Sequence, residues 1–113
     1  MTNPQKRKGS TFERDVVSYL RDNGHPYVDR HYGAGRPDDV GDIDSVVGWT
    51  LECKNVRAMD LAGWCDEAEL ERVNGRQPFA AVITKRRGKP VAAAYVVMSL
   101  DAFARLLADE VEA

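Results

Sequence analysis

The chain has 113 residues, with 16 Lys and Arg against 18 Asp and Glu, a net charge of −2 and 43% hydrophobic residues. These proportions fit one compact soluble domain, residues 1–113, and leave no room for a second. No stretch approaches the roughly 18 to 20 consecutive apolar residues that span a bilayer, and the opening MTNPQKRKGS lacks an apolar signal-peptide run, so neither secretion nor membrane insertion is expected and the expected location is the cytoplasm.

Two cysteines, Cys53 and Cys65, have no His or Cys neighbours at zinc spacing. They exclude a disulfide framework and a structural zinc, and they suit a reducing compartment. Charge is segregated along the chain: Lys6, Arg7 and Lys8 form one basic cluster, Lys85, Arg86, Arg87 and Lys89 another, and Asp109, Glu110 and Glu112 an acidic tail. Such clusters are ordinary solvated charge when taken alone, yet two of them can meet an anionic partner without the whole chain being basic. Residues 1–9 are expected to be a basic, flexible arm.

In chain order, Ser10 and Glu13 have capping-box spacing, and Phe12, Val16, Val17 and Leu20 recur at helical intervals up to Gly24, which predicts a helix over about 11–23. Residues 25–32 read as a short strand, and Gly33, Gly35, Pro37 and the aspartates after it as a loop. Residues 42–47 (DIDSVV) and 50–55 (TLECKN) predict a hairpin around Gly48-Trp49. Asp60 is placed to cap a helix to about Asn74, with Leu61, Trp64, Cys65 and Ala68 on its apolar side. FAAVIT (79–84) and VAAAYVVMS (91–99) predict two interior strands joined by the basic loop KRRGKP. Ser99 is placed to cap a last helix with Leu100, Phe103, Leu106 and Leu107 facing inward. The order α-β-β-β-α-β-β-α predicts an α/β fold with one mixed sheet flanked by helices.

The hairpin carries the chemistry. Alternate side chains of a strand share a face, so Asp42 pairs with Asp44 and Glu52 with Lys54, and whether the pairs meet depends on register. A two-residue turn would set the carboxylates against Ile43 and Ser45. A three-residue turn through Gly48 would instead bring Asp44 opposite Glu52 and Asp42 opposite Lys54. Carboxylates so gathered repel unless a cation shares the site. Oxygen donors without His or Cys select Mg²⁺, with Mn²⁺ able to substitute, and leave positions for water and a phosphate oxygen, as phosphodiester hydrolysis requires. The lysine beside them, its pKa expected to be lowered by partial burial, would orient or help deprotonate the attacking water. Taken alone, the same residues are also explained by a polar hairpin face with a surface ion pair worth under about 1 kcal/mol.

Three motifs occur in order: K-G-x-x-x-E-R-D-V-V-x-x-L at Lys8 to Leu20, G-D-I at Gly41 to Ile43, and L-E-C-K-N at Leu51 to Asn55. Together they resemble the PD-(D/E)xK nuclease superfamily, and within it the archaeal-type Holliday junction resolvases and their phage-encoded relatives. Leu61 to Arg72 also resembles the helix after the catalytic lysine in the phage versions. The resemblance implies a restriction-endonuclease-like core, with Asp42, Glu52 and the backbone carbonyl of Cys53 as metal ligands, Lys54 as the catalytic lysine, and Glu13 as a carboxylate brought in by the first helix. Asp44 is the second choice of aspartate. The literal Pro-Asp pair, Pro37-Asp38, lies in a glycine-rich loop that gives a ligand no rigid placement.

Lys6, Arg7, Lys8, Arg14, Arg36, Lys85, Arg86, Arg87 and Lys89 would contact DNA phosphates. The implied protein is a Mg²⁺-dependent, structure-selective DNA endonuclease, a Holliday junction resolvase acting as a homodimer on four-way or other branched DNA in recombination and repair. The dimer interface would come from strands 79–84 and 91–99 or from the last helix. The alternatives are a flap or duplex nuclease of DNA repair and a catalytically idle DNA-binding module. His25 reads as a turn residue, His31 as a strand residue, Trp64 as core, Trp49 as a contact surface and Cys53 as a small buried hydrophobe.

Overall fold

The computed structural model describes residues 4–31 and 41–112. Its elements are α1 (Pro4–Asp22), β1 (Asp29–Arg30), β2 (Ile43–Asp44), β3 (Trp49–Lys54), α2 (Leu61–Gly75), β4 (Phe79–Thr84), a 3-10 turn (Val91–Ala93), β5 (Tyr95–Val97) and α3 (Leu100–Glu112). The strands form one sheet in the order β1-β2-β3-β4-β5. The first three are antiparallel, β3 and β4 run parallel across the α2 connection, and β5 returns antiparallel. The expected α/β architecture, a mixed sheet flanked by helices, is therefore present. Among the described residues no helix is long and apolar enough to cross a membrane.

The first helix starts seven residues earlier than expected, at Pro4, so residues 4–9 of the expected flexible arm are helical. Proline is tolerated in a first turn because its missing N–H has no intrahelical acceptor there. Ser10 consequently sits inside α1 and caps nothing. Its hydroxyl accepts a bond from Arg30 Nη2 at 3.3 Å, and Arg30 also pairs with Glu13 at 2.9 Å. The C-terminal end is as read: Gly24 takes φ +101° and the His25 N–H donates to Leu20 O at 3.0 Å, a glycine-terminated helix end. The chain then turns through His25 to Val28 before pairing, and Pro26 has no N–H for a ladder. The strand expected over 25–32 shrinks to Asp29–Arg30.

Two apolar layers position the sheet. Phe12, Val16 and Val17 of α1 pack on Val28, Ile43, Leu51, Ala81 and Ile83 on one face. Trp64 and Ala68 of α2 pack on Val82 on the other. Full burial of such side chains contributes roughly 1.5–3 kcal/mol each. Asp60 caps α2 as expected, accepting from the Gly63 N–H at 3.1 Å. Gly75 is the last helical residue, and Arg76 rather than glycine takes the left-handed cap conformation. Trp49, expected at a contact surface, is half-buried and stacks on Phe79 with ring centroids 5.0 Å apart.

The last third departs from expectation. β4 is interior, but the second apolar run divides into the 3-10 turn and a three-residue strand at the sheet edge, with Tyr95 and Val96 exposed. Composition alone could not separate an edge strand from a central one, since both read as continuous apolar runs. Ser99 does cap α3, accepting from Ala102 N at 3.0 Å. The inward face of α3 differs from expectation: among the described side chains Ala102 is buried and Leu106 half-buried, while Leu100, Phe103 and Leu107 are exposed. α3 is instead held by Arg105, which donates to Pro78 O at 2.8 Å and lies 4.9 Å over the Phe79 ring.

Candidate active site

Asp42 follows Gly41, whose φ is +108°. The Asp42 N–H donates to Leu51 O at 2.9 Å, and Ile43 pairs with Leu51. Asp42 lies in a bend just before β2 and its charge reaches Glu52, while the pairing of Ile43 with Leu51 fixes the register of the hairpin. This is neither of the registers weighed from the sequence. The connection is longer because Ser45 and Gly48 both take positive φ around a turn closed by Trp49 N to Val46 O. The shift from the three-residue turn is two residues, which preserves side-chain parity along the paired residues. Asp44 does not meet Glu52. It lies exposed opposite Asp29, its carboxylate accepting from the Ser45 N–H.

A Cβ added at Gly41 would lie 3.0 Å from Thr50 Cγ2 and 3.1 Å from Leu51 O. Left-handed backbone costs a side-chain-bearing residue about 1–2 kcal/mol before that crowding. Gly41→Ala is therefore expected to lose roughly 2 kcal/mol or more in urea unfolding, and an unchanged midpoint would show that the backbone here is not constrained.

Glu52 is buried on the α2 face, where α2 brings Glu67 and Glu71 to it. Carboxylate oxygens of the three lie within 4.8 Å of one another. Glu52 and Glu71 share a hydrogen bond, which two ionised carboxylates cannot form. Burial first, then the charge of Asp42 and the contact with Glu71, pushes the Glu52 carboxyl up to about 11. Its Oε1 is buried without a hydrogen-bond partner. Asp42, also buried, accepts from the Cys53 N–H at 2.8 Å through Oδ2.

Leu51 O faces Asp42 and Lys54 O faces Lys85 N. Carbonyls alternate along a strand, so the Cys53 carbonyl turns to the Asp42 side. Desolvation, reinforced by Asp42, Glu13 and Glu52, holds the Cys53 thiol well above its usual range, which keeps it protonated and unreactive. Oxygen donors with an unsatisfied buried carboxylate oxygen suit a hard divalent cation; among the described residues the carboxylates close enough to share one are Glu52, Glu67 and Glu71, and Asp42, expected as a ligand, is not among them.

Lys54 corrects a sequence expectation. Burial pulls its ammonium down, but Glu52, Glu67 and Asp42 outweigh that and the net shift is upward. Its Nζ lies 3.2 Å and 3.3 Å from the two Glu67 oxygens and 3.7 Å from Glu52. It is thus a charged donor at neutral pH and not a base.

Glu13 is held by Arg30 and does not join the carboxylate group, although its charge reaches Cys53. Arg14 is exposed beside Arg21 and Arg30 in a shallow groove. His25 lies in the turn after α1, while the His31 N–H donates to Asp42 O at 2.8 Å. Arg36, Pro37 and Asp38 lie outside the described residues, as do the side chains of Lys6, Arg7 and Lys8. Glu67 and Glu71 were not found from sequence. The available signal was Glu71 itself, three residues after Ala68 and seven after Trp64 on the buried side of α2.

β3 and β4 are parallel and end together, with Lys85 N donating to Lys54 O at 3.0 Å. The basic loop therefore starts beside Lys54. A cleft of about 530 Å³ opens there, lined by Lys85, Arg86, Arg87 and Lys89 together with Arg57, which sequence reading passed over. No family model matches the chain, and neither the curated proteins nor the solved structures compared with it gave a match.

Proposed function

We propose that the protein is a Mg²⁺-dependent, structure-selective DNA endonuclease with a PD-(D/E)xK core, cleaving four-way junctions as a homodimer. The observation that carries this reading is the meeting of Asp42, Glu52 and the Lys54 ammonium at the end of β3, against a basic cleft that begins one residue further on. A bound Mg²⁺ would supply electrophilic stabilisation of charge on the scissile phosphate. Asp42, Glu52 and the Cys53 carbonyl would hold it. Lys54 would donate to a non-bridging phosphate oxygen as charge builds there, with Glu67 fixing the ammonium in place. Cations of the KRRGKP loop would hold the flanking phosphates. Resolution needs two nicks, hence two copies of a chain with one site. β5 and α3 keep exposed apolar residues and would supply that interface, more readily than β4, which lies between β3 and β5.

The test is cleavage of an immobile four-way junction in Mg²⁺ beside flap, duplex and single-stranded DNA. Paired symmetrical nicks are expected, abolished by EDTA and reduced about 10³-fold in Lys54→Ala, as for loss of a transition-state donor. Cleavage of plain duplex at the same rate would remove the junction assignment. No cleavage of any substrate in Mg²⁺ or Mn²⁺ would remove the enzyme.

A further inference from the structure

The cleft beside Lys54 is more than a patch of charge. Among the described residues, none of the ion pairs engages Arg57, Lys85, Arg86, Arg87 or Lys89, so five cations face one cavity without a carboxylate partner. A purely electrostatic phosphate contact would need nothing else. This cleft also has apolar walls: Val56 and Met59 line it from the loop before α2, and Tyr95 from the start of β5, all three exposed. The Arg86 guanidinium lies 4.9 Å over the centre of the Tyr95 ring, so a cation and an aromatic ring form one unit. Thr84 pairs with Tyr95 across the sheet edge, which places that unit on regular structure.

Unpaired bases stack on aromatic and guanidinium planes, while a paired base keeps its faces inside the duplex. Apolar walls, a stacking plane and unneutralised cations together match a nucleotide whose base has left the helix and whose phosphate remains on the backbone. We infer that the cleft binds an unpaired nucleotide of DNA next to the scissile phosphate, so that the enzyme reads a strand opened at a branch rather than intact duplex. The inference rests on the nuclease reading for the identity of its ligand, and it adds the feature by which branched DNA would be distinguished. Because Asn55 lines the cleft and directly follows Lys54, a nucleotide held there is contiguous with one at the carboxylates.

The test is fluorescence anisotropy in EDTA, where no strand is cut, using the full chain with labelled twelve-nucleotide oligo-dT and a labelled twelve-base-pair duplex. Tyr95→Ala is expected to weaken single-strand binding roughly 5- to 100-fold, the range for loss of one stacked base, and to change duplex binding less than twofold. Tyr95→Phe should retain single-strand affinity, and Arg87→Ala should weaken both ligands alike. If Tyr95→Ala fails to fold by circular dichroism, Met59→Ser, in the loop, reads the same wall and should show the same selective loss. Equal losses on both ligands, or none on either, would overturn the inference. Selective loss in a protein that cuts nothing would instead sink the nuclease reading and leave the cleft's preference standing.

Discussion

Glu52→Gln is expected to abolish Mg²⁺-dependent cleavage while making the metal-free protein more stable at pH 7. The two effects have opposite signs because burying the carboxyl costs the metal-free fold, while the proposed cation would need that same carboxylate. Its carboxyl is raised from 4.5 to about 11, by burial first and then by Asp42 and Glu71. A raised acid leaves stability intact below its unfolded pKa and loses it as pH climbs toward the folded value. At pH 7 the unfolded chain ionises Glu52 and the folded chain does not. At 1.36 kcal/mol per unit that difference costs about 3 kcal/mol, and it depends only on the folded pKa lying well above 7.

Glutamine has the same shape, needs no proton and can donate to Glu71, so most of the cost should vanish. Thermal unfolding in EDTA should show a midpoint several degrees higher, and Mg²⁺ should no longer raise it. A lower midpoint for the variant in EDTA would mean that Glu52 contributes net stability to the apo fold, contrary to its burial.

The hairpin was legible but its register was not: the sequence left a two-residue and a three-residue turn open, and the structure adopts neither. The hairpin slipped by two residues from the register that would have met Asp44, yet an even slip leaves every side chain on its own face. Which residue lies directly opposite depends on Ser45 and Gly48, whose positive backbone angles composition does not announce. α1 and α2 were legible for the reason helices usually are: their apolar stripes repeat over several turns.

Glu71 was hidden by the same rule that found Trp64 and Ala68. A carboxylate on a buried stripe reads as a break in the stripe, and its meaning appears only when β3 brings Glu52 beneath it. The sign of the Lys54 shift was illegible because it is a contest: sequence shows one amine near Glu52, while Glu67, thirteen residues away, decides the outcome. α3 failed for want of a partner. Its apolar residues were counted as inward, but among the described side chains Ala102 is buried and Leu106 half-buried, while Leu100, Phe103 and Leu107 stay exposed and Arg105 ties the helix to Pro78 and Phe79.

Apparent Mg²⁺ affinity is expected to rise steeply with pH, approaching tenfold per unit between pH 6 and 9. The cation competes with the proton that Glu52 and Glu71 share, and over this whole range the Glu52 carboxyl lies below its folded pKa of about 11, so binding must expel that proton. One proton displaced per ion gives a slope of one in log affinity. Lys54 does not offset it, because its own pKa is raised and the ammonium persists throughout the window. Calorimetric titration in buffers of different ionisation enthalpy should report close to one proton released per Mg²⁺ at pH 7.5. Glu52→Gln, which carries no acidic proton, should remove the release along with the affinity. Binding of equal strength at pH 6 and pH 9 would show the ion held by carboxylates already ionised, and would move the metal away from Glu52 and Glu71 toward groups exposed to solvent.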